Sequence, residues 1–447
     1  MLTSVIAAVV ILGVLILVHE AGHFVVAKRA GVRVLRFSIG YPPKIAGIRR
    51  GGTEYAIGAT PLGGYVRMLG EEISEDLNAG EIQTFLTELG QDLLADAGRR
   101  GFARPEGNAD GLTELAHSFA GASDPRAWER EKLGRPLLPE ERELLEEISR
   151  HPDSASAIAA LAQHRPPLLT RRLEEQAFPH QSLPKRFAIV LAGPLSNIVF
   201  APVLLTVVLM YGVPRLKPIL GEVKAGLPAA DAGLRAGDRI VALDGRPIRS
   251  WEDLSDRVKD SDGSALTIQY ERSGATRQVT LKPARQSEKT PFGDTAPQWV
   301  IGVLPRGDFS VHRDGPVRAV YDAVVQSAQM SGMLVVGIGK IFAGSTPVRQ
   351  ALGGPIMIAK MAGHEARQGF ASVAMFTVML SLELGIINLL PVPMLDGGHL
   401  LFFVIEAVRG RPLQVRHREI AQQVGLFLLV MLMAFVIFND ISRIVQG

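Results

Sequence analysis

Four stretches of the chain are almost free of charge: Val5 to Val18, Phe187 to Val213, Phe370 to Leu395 with Glu383 as its single ionisable residue, and Val424 to Asn439. Runs of this kind predict membrane-spanning helices. The first resembles a signal peptide, but it lacks a basic leading region and runs into a histidine and a glutamate, not a small-residue cleavage site, which marks a retained span. Between the runs the pattern changes. Phe37 to Met68 breaks into short alternating strands punctuated by glycine, which predicts a hairpin or small sheet. Glu71 to Gln176 has helical spacing, for example Leu137, Leu144, Leu145 and Ile148, amid Glu and Arg, and predicts a helical insertion. Pro218 to Pro283 returns to strand patterns around one helix, Trp251 to Lys259, with a turn at Ser273-Gly274. Arg313 to Gly369 is amphipathic between glycine-proline turns and reads as a connector along the outer membrane surface.

Those boundaries divide the chain into six segments: 1–70, 71–180, 181–216, 217–285, 286–369 and 370–447. Lys28, Arg29, Arg33 and Arg36 follow the first run, Lys185 and Arg186 precede the second, and Arg409, Arg411, Arg416 and Arg418 separate the third from the fourth. Short basic loops stay in the cytoplasm, so both termini and the segment after the second run face outward, into the periplasm of a bacterium, and the insertion faces inward. This bias explains the net charge of +3, and no nucleic-acid role follows from it. The chain has no cysteine, which removes disulfides and thiolate chemistry.

Candidate chemistry sits at the end of the first run, in His19-Glu20-Ala21-Gly22-His23. On a helix, histidines four apart project from one face and can bind one zinc ion, while Glu20 is near enough to take a proton from a water there. Ionisable groups in a span cost roughly 2.5 to 3.5 kcal/mol each on insertion scales, so a helix bearing three of them needs a compensating interaction such as metal coordination. A catalytic zinc wants a third protein ligand. Asp396 fits, in the run Asn388 to His399, where Pro391 and Pro393 break the third apolar stretch and Gly397 and Gly398 let backbone pass close to a metal. His117, His151 and His164 are far apart in polar surroundings and read as surface histidines.

With Gly193-Pro194-Leu195-Ser196-Asn197 at the start of the second run, these motifs resemble the site-2 protease family of intramembrane zinc metalloproteases, and most closely its regulator-of-sigma-E protease (RseP) branch. Pro218 to Pro283 resembles a PDZ domain, whose groove between a strand and a helix accepts an extended peptide by strand addition. The resemblance implies an α-helical polytopic membrane protein of about four spans, with a membrane-associated β-hairpin or sheet and a periplasmic α+β PDZ domain. It implies that His19, His23 and Asp396 hold one zinc and that Glu20 is the general base. Asn197 and Asn388 would hold the substrate strand, and the glycine-rich element around Gly52 to Met68, with Gly63 and Gly64, would align it. The implied substrate is a single-span membrane protein such as an anti-sigma factor, with remnant signal peptides as another. The implied setting is the bacterial inner membrane. RseP proteins commonly carry two tandem PDZ domains. One is present here, Thr290 to Phe309 being too short for a second, and the insertion 71–180 is also outside the pattern.

Two other classes make different demands on the sequence. A metal transporter predicts ligands without a dedicated base and often repeated spans, and neither description suits this chain. A membrane-anchored PDZ scaffold predicts an eroded metal motif, whereas all four chemical residues are present.

Overall fold

The first apolar run continues as one helix, α1 (Leu2–Arg29), in the computed structural model of the chain, which describes residues 2–70, 109–163, 167–289, 295–344 and 354–446. Two long strands follow, β1 (Val34–Arg50) and β2 (Thr53–Met68). They join through Gly51 and Gly52, whose φ angles of 55° and 73° suit a tight two-residue hairpin turn. Both strands bend back on themselves. Phe37 stands opposite both Val66 and Tyr55, so the first half of β1 is flanked by the two ends of β2. Ile45, Ile48 and Ile57 lie exposed on the far half of this sheet, while Val34, Val66 and Met68 on the near half pack with Ala27 of α1.

In the insertion, residues 71–108 lie outside the described part. The rest forms α2 (Ala109–Ala120), α3 (Pro139–Ser149), α4 (Ser154–Gln163) and α5 (Pro167–Gln176). Leu144, Leu145 and Ile148 fall on one face of α3 and are buried with Leu112, Leu115 and Leu161, as helical spacing requires. Leu35 and Leu69 join the same cluster, which roots the insertion on the base of the sheet. Buried Glu141 is held by both guanidinium nitrogens of Arg135, at 2.8 and 2.9 Å. His117 is exposed and His151 half-buried; His164 is outside the described residues.

The second apolar run is α6 (Leu183–Tyr211), after which the chain becomes strand-rich. β3 (Val213–Leu216), β4 (Leu220–Val223) and β5 (Arg239–Leu243) lead to α7 (Trp251–Lys259). A reciprocal cap starts α7: Ser250 Oγ accepts from the Asp253 amide, and the Asp253 carboxylate accepts from the Ser250 amide. β6 (Leu266–Arg272) and β7 (Ala275–Leu281) form a hairpin beside β5, turning at Ser273 and Gly274, which both have positive φ. β8 (Ala284–Lys289) pairs with β9 (Thr295–Val300), β10 (Val303–Pro305) with β4, and β11 (Phe309–His312) with β3. Ile301 is buried in the same core as Leu220, Ile240, Leu254 and Ile268. The expected domain end at residue 285 therefore falls too early. Residues 303–305 and 309–312 pair back onto β4 and β3, so strands beyond residue 285 close the domain.

α8 (Pro316–Phe342) places Ala319 and Ala323 against Ala201, Leu205 and Val208 of α6 and against α10 (Phe370–Asn388) at Ala374 and Val378. Small side chains let these helices approach closely. Between them, α9 (Pro355–Gln368) begins at Gly354, whose amide donates at 3.0 Å to the buried carboxylate of Asp440, as do those of Ile356 and Met357 at 3.1 Å. Asp440 lies near the end of the last helix. α11 (Asp396–Arg409) and α12 (Val415–Gln446) complete the chain. Among the described residues four helices are long and apolar enough to cross a membrane, α1, α6, α10 and α12. Packing divides the chain into two units, one from residues within Val9–Asn197 and Ile387–Leu426, the other from Met1–Ala8, Ile198–Ile386 and Phe427–Gly447.

In the strand-rich domain, Asp238 is buried and accepts two hydrogen bonds from Arg272, both at 2.7 Å, and one from the Arg235 amide at 2.8 Å. Burial alone would raise its pKa, but Arg272 and that amide outweigh it and hold the carboxyl below its ordinary value. A carboxyl lowered in this way adds stability above its unfolded pKa of about 3.9 and loses it as pH falls through the folded value. Asp238→Asn should cost about 1–3 kcal/mol in urea unfolding at neutral pH. It should also weaken the loss of stability below about pH 4, read from Trp251 and Trp299 fluorescence in a Trp128→Phe background.

Candidate metal centre

α1 and α6 meet at two glycines. A methyl group on Gly22 would stand 2.3 Å from the Ala192 carbonyl oxygen, and one on Gly193 would stand 2.1 Å from His23 Nε2. Neither helix could come so close with a larger residue there. Ser196 Oγ ties the crossing by donating to the Val18 carbonyl at 2.8 Å. As a result His19 and His23, one turn apart on α1, face α6 and are buried.

Each imidazole has a partner on α6. His23 Nδ1 lies 2.8 Å from the Ile189 carbonyl oxygen, which only accepts, so Nδ1 carries the proton and Nε2 presents its lone pair. His19 Nδ1 lies 3.3 Å from Asn197 Nδ2. A metal-bound His19 would carry its proton on Nδ1, and Asn197 would accept it with its amide turned to present Oδ1. Asn197 is fully buried, a place from which it orients His19.

Asp396 is the first residue of α11. The loop before it turns sharply, with Met394 at φ 87°. Gly397 and Gly398 make this turn by admitting the carbonyls of Leu389, Leu390 and Val392, which methyl groups would meet at 2.2 to 2.5 Å. The expectation that these glycines bring backbone close to a metal is thus replaced by a local one: they close the loop that aims Asp396. Its Oδ2 lies 3.0 Å from His19 Nε2 and 3.4 Å from His23 Nε2, and the two Nε2 atoms are 3.2 Å apart.

Among the described residues this is the group with a metal's donor set, its three ligand atoms lying within 4.8 Å of one another. Two imidazole nitrogens and a carboxylate oxygen converging in a buried place need a proton or a cation between them, and two imidazoles with one carboxylate are a donor set that suits zinc. The residues therefore fit the ion. Glu20 lines the same cavity of about 450 Å³, together with Tyr65, Val66 and His399. A methyl group on Gly64 would approach Glu20 Cγ to 3.2 Å, and Val66 lines the same cavity, so the last stretch of β2 runs alongside the carboxylate.

The remaining candidates are dispersed. Gly63 packs under the Tyr41 ring, Asn388 ends α10 half-buried, and His399 is a cavity wall whose ring meets Phe402. Sequence reasoning missed the Ile189 carbonyl, for which no side-chain signal exists. It quoted Gly22 and Gly193 inside their motifs without seeing that they face each other's helix.

Gly193→Ala should push His23 aside. The expected result is about 10- to 100-fold weaker zinc retention with unchanged helical circular dichroism, measured by metal analysis after dialysis against a graded chelator.

The profile of Peptidase family M50 matches residues 7–432. The chain is 31% identical to the zinc metalloprotease RasP of Geobacillus kaustophilus, covering 99% of this chain and 98% of that one. It is 33% identical to the regulator of sigma-E protease RseP of Salmonella typhimurium and 32% identical to that of Escherichia coli, covering 98% of both chains in each case. Among solved structures, the PDZ domain of an SdrC-like protein from Listeria monocytogenes aligns with 21% of this chain and 90% of its own, at 26% identity and a TM-score of 0.17. The PDZ reading rests on strand order and not on that alignment. By the match over nearly its whole length, this chain belongs to peptidase family M50 and is a zinc metalloprotease.

Proposed function

We propose that this protease hydrolyses a peptide bond within a membrane-spanning segment of a single-span protein in the bacterial inner membrane, a membrane-bound anti-sigma factor being the substrate class that the relatives' names suggest. The observation that carries the reading is the convergence of His19, His23 and Asp396 beside Glu20 at the end of an apolar helix. Zinc held by the three ligands supplies Lewis acidity, lowering the pKa of a water toward about 7. Glu20 takes the proton from the attacking water and returns it to the leaving amine. Ile189 and Asn197 hold the two imidazoles in the tautomer that binds metal. Asn388 keeps its assignment as a substrate contact.

A helical substrate shields its own carbonyls, so it must unwind before reaction. Gly63 to Met68 is the stretch that receives it. Its residues pair with β1 on one side, Gly64 opposite Ile39 and Val66 opposite Phe37, and the stretch runs past Glu20. Strand addition there satisfies the unwound backbone where water is scarce.

The strand-rich domain lies on the periplasmic side in this reading and the insertion 71–180 on the cytoplasmic side. A groove of about 210 Å³ between α7 and β10, lined by Leu254, Val258, Gly302, Lys224 and Lys259, suits the carboxylate end of a peptide. The Lys224 amide donates to the Gly302 carbonyl and the Arg306 amide to the Ile219 carbonyl, so the alternate residues Val303 and Pro305 turn their backbone toward the groove. Pro305 has no N–H, which limits strand addition to the last few residues of a chain.

The test is cleavage of a single-span substrate in liposomes by the wild type and by Glu20→Gln, with zinc measured on both. Cutting within the span by the wild type, and loss of at least about 1,000-fold with zinc retained in Glu20→Gln, is expected. A variant that cuts at the wild-type rate, or a wild type that cuts only outside the span, would sink the proposal.

A further inference from the structure

Arg186 lines the cavity that holds Glu20 and the three ligands, and it is engaged in an ion pair with Glu406. Arg186, at the start of α6, donates from Nη2 to Glu406 Oε1 at 2.6 Å and from Nη1 to Oε2 at 3.3 Å. Its Nε donates to the Gln181 carbonyl at 3.1 Å, and its guanidinium carbon lies 5.2 Å from the centre of the Phe403 ring. The two side chains keep only 13% and 15% of their exposure. Such a fork has a defined direction and length, which distinguishes it from the apolar contacts around it.

The helices it joins are those that aim the ligands. α6 orients both imidazoles, His23 through the Ile189 carbonyl and His19 through Asn197. α11 carries Asp396 as its first residue and Glu406 ten residues on. A proline-broken loop precedes α11, so its axial position is not inherited from a continuous helix. Beside the pair, α11 meets α6 in an apolar seam where Leu400 and Phe403 are buried with Val190, and Leu183, Phe187 and Leu191 pack against them; hydrophobic burial is non-directional, unlike the fork.

We propose that Arg186 and Glu406 are positioning residues of the metal centre: their ion pair sets the register of α11 against α6, and with it the reach of Asp396 to the two histidines. This rests on the metalloprotease reading. Neither residue belongs to the group His19, His23 and Asp396 that would hold the metal. Glu406→Gln keeps shape and loses charge, Arg186→Lys keeps charge and loses the fork, and Arg186→Glu with Glu406→Arg restores a pair of opposite hand.

The experiment uses the full chain in detergent and measures zinc affinity by chelator competition, the visible spectrum of the cobalt-substituted protein, and the thermal midpoint. Each single variant should bind zinc about 10- to 100-fold more weakly and show an altered cobalt spectrum, as outer-sphere changes do. The exchanged pair should regain at least half of that loss on a logarithmic scale. Asp396→Asn is the control for the site itself. Zinc affinity and cobalt spectrum at wild-type values in both single variants, with Asp396→Asn impaired, overturn this inference and leave the protease reading intact. Wild-type protein that binds no zinc, or binds it independently of Asp396, overturns both. A lowered thermal midpoint with unchanged metal binding assigns the pair to fold stability alone and overturns the proposal.

Discussion

The close crossing of α1 and α6 at Gly22 and Gly193 is the constraint on which the site depends. It lets the imidazole of His23 occupy the volume of an absent side chain and reach a backbone carbonyl of the neighbouring helix. In an apolar medium helices gain little from hydrophobic attraction to one another, so close approach, hydrogen bonds and ligands shared with a metal must do the holding. The crossing of α1 and α6 supplies the first two. Ser196 ties the backbones, Ile189 and Asn197 orient the rings, and the lone pairs are left pointing at Asp396.

Spans and metal motif were legible because both rest on local periodicity. Apolar runs without charge and histidines four apart carry their meaning within a few residues, and the structure puts His19, His23 and Asp396 within hydrogen-bonding distance of one another. Asp396 was reachable because a third ligand had to come from another span and its run carries two prolines and two glycines, with the family resemblance implying its role. Less legible was whatever depends on register between distant segments. The chain returns to β4 and β3 after residue 295, and no local pattern states that Val303 stands opposite Val223. The domain end was therefore placed too early.

Glycine shows the same limit from another side. The sequence marks where glycine occurs but not which neighbour needs the space. Gly397 and Gly398 look like room for a metal and prove to be room for the carbonyls of their own loop. Asn197, grouped in sequence with substrate contacts, is buried against an imidazole. In both cases the residue type was informative and its partner was not.

Asp440 bears on the order in which the chain can be made. The amides at the start of α9 find their acceptor 86 residues downstream of Gly354. During synthesis those donors emerge, and α9 forms, well before the residue that satisfies them has been translated. Until then the partly built protein must leave that helix end in contact with water or lipid headgroups. A segment made much later thus finishes a helix begun earlier, and a chain interrupted between the two remains structurally incomplete at a site far from the break.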